Sequence, residues 1–182
     1  MAAQGLPRSG KPYSKQLTAV NAPLRCAGRC CGWTWGSPMT STSRRSLPAI
    51  APVIYLDSSA VVKLVHAEPE SPALRHWLDE RVETGWISSV LTEIESFRAL
   101  ARYMPDAVSR LPAVLDQIDL IDLDPRIRIL AQTVQPVTAR SLDAIHLGTA
   151  LYSGPGLTSF VAYDTRLLDA ARAAGLQVDS PT

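Results

Sequence analysis

Val53–Val65, VIYLDSSAVVKLV, is the stretch from which the rest of this chain can be read. Val53, Ile54, Tyr55 and Leu56 form an unbroken run of β-branched, aromatic and aliphatic residues, which suits a strand covered on both faces, as in a parallel sheet. Asp57 ends the run. Ser58 and Ser59 are residues that cap helices, and Val61, Val62, Leu64 and Val65 begin a helical apolar face. Asp57 is therefore expected at the carboxyl end of a strand. In open α/β sheets that edge forms the ligand crevice, because loops and helix N-termini meet there. The plainer use of the same carboxylate is as a helix N-cap.

Outward from this unit, strands and helices continue to alternate. After a turn at Glu68-Pro69-Glu70, Ser71 as N-cap with Pro72 at the first position opens a helix, with Leu74, Trp77, Leu78 and Val82 inward and Gly85 as its end. Trp86-Ile87-Ser88 reads as a short strand leading into a third helix, Ser89–Leu100, which carries Glu93 and Glu95. Two residues apart means about 200° around a helix, so only one of these acids can face a given site, and spacing does not choose between them. Pro105–Gln117 is a helix interrupted at Pro112. Ile118–Leu123 is an edge strand whose Asp119 and Asp122, with Asp124 behind them, keep it soluble rather than bind metal. Pro125 opens a fifth helix that Pro136 stops. Ser141 caps the next helix and places Asp143 in its first turn, where a carboxylate complements the helix dipole. His146, one turn on, reads as a hydrogen-bonded structural histidine. Leu157–Tyr163 is a strand ending on Asp164, followed by a helix from Thr165 that Gly175 ends, so the opening pattern recurs. Leu176–Val178 is a last short strand. The alternation predicts an α/β fold of three α/β/α layers with a mostly parallel central sheet.

Composition divides the chain at residue 52. Residues 1–52 contain no acid but carry Arg8, Lys11, Lys15, Arg25, Arg29, Arg44 and Arg45, whereas residues 53–182 hold 11 basic and 17 acidic groups, a net charge of −6. The first part is rich in Pro, Gly, Ser, Thr and Arg without apolar periodicity. It is expected to be a disordered extension, or sequence upstream of the true start, with Met39 or Val53 itself as the alternative. A basic RNA-binding arm using Tyr13, Trp33 and Trp35 for stacking is the functional alternative. Cys26, Cys30 and Cys31 have no nearby second Cys or His pair, which argues against zinc, and the thiol-free remainder suits a reducing cytoplasm. Ser43-Arg44-Arg45-Ser46-Leu47 resembles a twin-arginine export signal, but the apolar run behind it is broken by Pro48 and Pro52 and merges into the first strand. No window approaches the roughly 18 apolar residues of a membrane span. A cytoplasmic protein without a membrane partner is expected.

Asp57 and Asp164 end apolar strands, Asp143 opens a helix, and one glutamate of the third helix can reach the same edge. Carboxylates brought so close repel unless a cation joins them, and Mg²⁺ or Mn²⁺ takes such oxygens. That chemistry activates water for in-line displacement at phosphorus, which points to phosphodiester hydrolysis. Haloacid-dehalogenase-type phosphatases and receiver domains also place aspartates at strand ends, but both use a lysine late in the domain. Lys63 is the only lysine after residue 52, and the phosphatase Asp-x-Asp is Asp57-Ser58-Ser59 here.

IYLDSSAVVKL, SSVLTEIESFRAL, SLDAIHLGTA and VAYDTRLLDAA stand in the order and spacing of one family: from Val53 onward the chain resembles PIN-domain ribonucleases of the VapC toxin type. The resemblance implies an Mg²⁺- or Mn²⁺-dependent endoribonuclease that cuts RNA and inhibits translation. It also implies a cognate antitoxin bound across the active-site groove, operator DNA reached only through that antitoxin, and a homodimer. Carried across residue by residue, the first, third and fourth acids are Asp57, Asp143 and Asp164. The second, in a Glu-x-x-Arg-Ala pattern, falls on Glu95 with Arg98 and Ala99, which selects Glu95 over Glu93. Ser58 matches the hydroxyl residue often found beside the first acid. Thr165 and Arg98 are further candidates for holding substrate, with Arg102, Arg140 and Arg166 as a basic rim. The 52-residue extension departs from the family, whose members begin near their first strand. Two other readings compete: a catalytically weak PIN module acting through antitoxin and operator binding, and a housekeeping RNA-processing nuclease.

Overall fold

The computed structural model describes residues 51–182. The expectations made for the cysteines, the basic arm and the alternative start fall outside these residues, apart from Ala51 and Pro52. Five strands, β1 (Val53–Leu56), β2 (Gly85–Ser89), β3 (Asp119–Ile121), β4 (Leu157–Val161) and β5 (Val178–Asp179), form one sheet in the order β3-β2-β1-β4-β5. Every pairing is parallel. Seven α-helices among the described residues connect and cover it: α1 (Ser58–Val65), α2 (Ser71–Asp79), α3 (Leu91–Tyr103), α4 (Leu111–Leu115), α5 (Pro125–Thr133), α6 (Ser141–Tyr152) and α7 (Thr165–Ala173). The three-layer expectation holds, and the sheet is wholly parallel.

β1 shows why the unbroken apolar run was informative. All four of its residues are buried, and they alternate between two cores. Ile54 and Leu56 pack with α1, α2, Leu100 of α3 and Leu111 of α4. Val53 and Tyr55 face the other way, with Phe160, Leu147 of α6 and Leu167 of α7. A period of two thus feeds both layers from one central strand. The strand order runs one way from β1 to β3 and the other way from β1 to β4, so the carboxyl ends of β1 and β4 flank the point where the chain reverses its winding. In this architecture that is where the crevice opens.

Several local expectations shift by a residue or two. Asp57, not Ser58 or Ser59, caps α1, with its side chain accepting from the Ser59 amide. Ser71 is the first residue of α2 rather than its cap, because its hydroxyl instead donates to Lys63 O at 2.7 Å and accepts from the Glu68 amide. Gly85 begins β2 instead of ending α2, and Ser89 belongs to that strand. The Pro105–Gln117 segment splits into a 3₁₀ turn over Pro105–Arg110 and the short α4, one residue ahead of Pro112. Arg140 replaces Ser141 as the residue before α6. β3 is the edge strand anticipated, and Asp124 caps α5. Gly175 has φ +81, the left-handed conformation expected after a helix end. No helix among the described residues is long and apolar enough to cross a membrane.

α5 and α6 touch at Gly148, where an added Cβ would stand 2.8 Å from the Ala131 amide nitrogen and 3.1 Å from Ile127 O. Both neighbours are backbone and cannot swing aside. Gly148→Ala is therefore expected to lower stability by about 1–2 kcal/mol despite the helix propensity gained. Thermal melts that show an equal or higher midpoint would refute this contact.

Lys63 is 8% exposed. Its ammonium reaches Glu68 at 2.5 Å and Glu70 at 2.8 Å and lies 4.6 Å from the centre of the Tyr163 ring. Burial opposes the charge, but the two carboxylates outweigh it and raise the Lys63 pKa above its ordinary 10.5. The hydrogen bond from Lys63 lowers Glu70 below 4.5. Burial lifts Tyr163 from 10.0 to about 12. Folded values above the unfolded ones mean that the Lys63 and Tyr163 contributions are complete below pH 10 and are lost as pH rises through the folded values. Glu70 acts in the opposite sense, its contribution being lost as pH falls below 4.5. The melting temperature is expected to fall above pH 10, with part of that fall missing in Lys63→Met; superimposable alkaline limbs for the two proteins would contradict it.

Candidate functional site

Asp57 leaves β1 at the winding reversal and is 4% exposed. Its amide donates to Val161 O of β4 at 2.9 Å. Its Oδ2 accepts from the Ser59 amide at 3.0 Å and the Ser59 hydroxyl at 2.7 Å. The Ser59 hydroxyl in turn accepts from the Tyr163 amide at 2.9 Å, which ties the turn after β1 to the turn after β4. Asp57 is thus both a helix cap and a buried acid at a crevice. Capping uses Oδ2, and Oδ1 lies 3.8 Å from His146 Nδ1.

Glu95 arrives from α3. Its Oε2 lies 2.8 Å from His146 Nε2, and the histidine's Nδ1 is 2.7 Å from the Tyr55 hydroxyl. Tyr55 is fully buried and His146 is 2% exposed, while the Glu95 side chain is 26% exposed, so the acid is the solvent-facing end of this line and its partners lie beneath it. Glu93, on the opposite side of α3, lines a separate groove with Ile94, Phe97 and Arg98. The two glutamates do point apart, and the one that meets His146 is Glu95.

Among the described residues, Asp57, Glu95 and His146 each bring one potential ligand atom to within 4.8 Å of the others. Asp143 and Asp164 stand outside that group. Asp143 is half-buried one turn before His146 on α6, close enough for its charge to act on the imidazole. Asp164 is exposed and caps α7, its Oδ1 accepting from the amides of Arg166 at 2.8 Å and Leu167 at 3.3 Å. Ser58 is half-buried and its hydroxyl supports Glu95. Arg98 and Thr165 are exposed, Arg98 in the groove on the Glu93 side of α3 and Thr165 at the first position of α7.

The electrostatics centre on the histidine. Burial works against charge on both Glu95 and His146, but their mutual hydrogen bond and attraction prevail, lowering the pKa of Glu95 and raising that of His146. The charges of Asp57 and Asp143 add to the rise. Burial, then the nearby Asp57 charge, pushes Tyr55 well above its ordinary value, so its hydroxyl keeps its proton. Glu95 is therefore charged at neutral pH. Oxygen donors of this kind suit a hard divalent cation, and Asp57 Oδ1, left out of the cap, has the chemistry to meet one.

Sequence reading missed Tyr55 and His146 as parts of the site. The signals were a hydroxyl inside an otherwise aliphatic strand, and a histidine three residues after Asp143, hence on the same helical face. Neither signal specifies that the two meet, since they are 91 residues apart.

A family model described as PIN domain matches residues 54–173. Ribonuclease VapC35 of Mycobacterium tuberculosis is 46% identical over 131 residues, covering 71% of this chain and 97% of that protein. Ribonuclease VapC47 of the same species is 42% identical over 132 residues, with the same two coverages. Ribonuclease VapC46 is 43% identical over 129 residues, covering 71% and 98%. Among solved structures, PAE2754 from Pyrobaculum aerophilum superposes with a TM-score of 0.51 at 23% identity, covering 78% of this chain and 92% of that one. This last likeness concerns the fold.

Proposed function

The chain belongs to the PIN-domain family as a ribonuclease of the VapC type, and from that premise we propose that Asp57, Glu95, Asp143 and Asp164 form a Mg²⁺- or Mn²⁺-dependent active site for endonucleolytic cleavage of RNA. The observation that carries this reading is the meeting of the Asp57 and Glu95 carboxyl groups, from elements far apart in sequence, at the winding reversal of the sheet. The cation supplies water of lowered pKa and offsets the charge that develops on the phosphate. Asp57 and Glu95 would hold it, with Asp143, whose charge acts on His146, and Asp164, at the cap of α7, as the further carboxylates. Ser58 steadies Glu95, while Arg98 and Thr165 contact the RNA backbone. In the cell the protein acts in the cytoplasm as the toxin of a toxin-antitoxin pair. It inhibits translation by cutting RNA, is neutralised by its antitoxin, reaches operator DNA through that antitoxin and forms a homodimer.

Cleavage of labelled RNA by the purified chain is expected to require Mg²⁺ or Mn²⁺ and to stop on addition of EDTA. Asp143→Asn is expected to lower the rate by about 10–100-fold, as for an acid that supports the cation without capping a helix. Cleavage unaffected by EDTA would overturn the metal assignment.

A further inference from the structure

We infer that His146 is a positioning residue: anchored by Tyr55, it presents a proton to Glu95 Oε2 and so fixes the carboxylate for the cation, without itself being a ligand. This rests on the metal-site reading above. The polarity of the chain starts at a group that can only donate. The Ser89 amide donates to the Tyr55 hydroxyl oxygen at 3.1 Å. The hydroxyl lies 2.7 Å from His146 Nδ1, and His146 Nε2 lies 2.8 Å from Glu95 Oε2. A lone pair on Nε2 would face a carboxylate that has only lone pairs to offer, so Nε2 carries the proton. If the ring is neutral, Nδ1 accepts from Tyr55. If it is charged, Nδ1 donates to the tyrosine oxygen. Glu95 receives the same hydrogen bond in both cases.

Three features separate this role from direct ligation, although Asp57, Glu95 and His146 lie within ligand distance of one another. Both ring nitrogens are already engaged, at 2.7 and 2.8 Å. Hard divalent cations prefer carboxylate oxygen to imidazole. The anchor is rigid, because Tyr55 is fully buried and stacked on Phe160 at 4.9 Å with an interplanar angle of 3°. The same ring meets the imidazole edge-on, at 6.1 Å and 83°. A buried imidazole packed against the Tyr55 ring and held at both nitrogens by hydrogen bonds is fixed in orientation, and it transmits that orientation to Glu95.

Mn²⁺ serves as the probe, read by EPR titration and by electron spin-echo modulation on the full chain. The wild type is expected to bind Mn²⁺ without the nitrogen coupling of a directly bound imidazole. His146→Ala is expected to weaken Mn²⁺ binding by about 10-fold, in the range for partners that orient a ligand. His146→Gln, whose amide donates from near the position of Nε2, should recover most of that loss. Tyr55→Phe should shift affinity in the same direction by a smaller factor. RNA cleavage by His146→Ala should regain rate as Mn²⁺ is raised, because the defect is in holding the cation. Unfolding of His146→Ala, seen by circular dichroism, leaves the Gln and Phe variants to decide. Directly coupled nitrogen in the wild type, unchanged affinity in Tyr55→Phe, or failure of His146→Gln to exceed His146→Ala would overturn the positioning role. Absence of Mn²⁺ binding by the wild type would overturn the metal-site reading together with it.

Discussion

Asp57→Asn is expected to reduce RNA cleavage by at least about 10³-fold, because a cation-holding carboxylate is worth several kcal/mol to the transition state and each 1.4 kcal/mol is tenfold in rate. Asparagine is the informative substitution. It keeps an oxygen that can accept from Ser59, as Asp57 Oδ2 does at 3.0 and 2.7 Å, so the cap on α1 survives while the charge is lost. Alanine would remove both and add about 1 kcal/mol of lost capping. A melting temperature within a few degrees of wild type, beside a collapsed cleavage rate, would separate the two roles that Asp57 combines. Cleavage within tenfold of wild type would remove Asp57 from the active site.

Phe160→Ala is the largest stability loss expected, at about 3–5 kcal/mol for a fully buried aromatic side chain. In a domain of this size that corresponds to a fall in melting temperature of roughly 10–20 °C. Phe160 is fully buried and pairs with Tyr55 in the parallel register of β1 and β4. Their rings stack at 4.9 Å. Removing the ring leaves a cavity between the central strands and withdraws the support of the one tyrosine that reaches His146. Phe160→Leu, which keeps most of the volume, should cost about 1 kcal/mol. A fall of less than about 3 °C for the alanine variant would show that the core closes over the gap and that this pair is not central.

The layered fold was legible because apolar pattern and punctuation carry it. Four consecutive apolar residues before Asp57, and the same pattern before Asp164, require strands covered on both faces. The errors lay mainly at element ends, and they include Val82, read as inward on the second helix but exposed beyond its end at Asp79. Serines 58, 59, 71 and 141 were each read as caps and none is: at α1 the neighbouring Asp57 makes the capping bond, at α2 a tertiary partner takes the Ser71 hydroxyl, and α6 begins at Ser141 with no side-chain cap bond at all. Ser71 illustrates the second case, since its hydroxyl closes the end of α1 on Lys63 O. Caps are decided by side-chain geometry within one turn, and residue type restricts that geometry without choosing it.

The acids and their convergence at one sheet edge were expected from the sequence, and the histidine that joins Asp57 and Glu95 was not. Helical spacing established that Glu93 and Glu95 face apart, and the family pattern selected Glu95. The tertiary structure supplied the reason: α3 packs so that Glu95 meets an imidazole from α6, while Glu93 faces the groove beside the 3₁₀ turn. Asp164, like Asp57, also caps the helix that follows it, with Oδ1 accepting from the amides of Arg166 and Leu167.

By itself, then, the sequence determined the alternation of strands and helices, the two-sided burial of β1 and the placing of Asp57 at a strand's carboxyl end. These follow from local periodicity and from the need to hide apolar surface. Only the tertiary structure decided that Tyr55, Glu95 and His146 form one hydrogen-bonded line beside Asp57. A contact between residues 51 and 91 positions apart depends on how whole elements pack, and no local pattern records that packing.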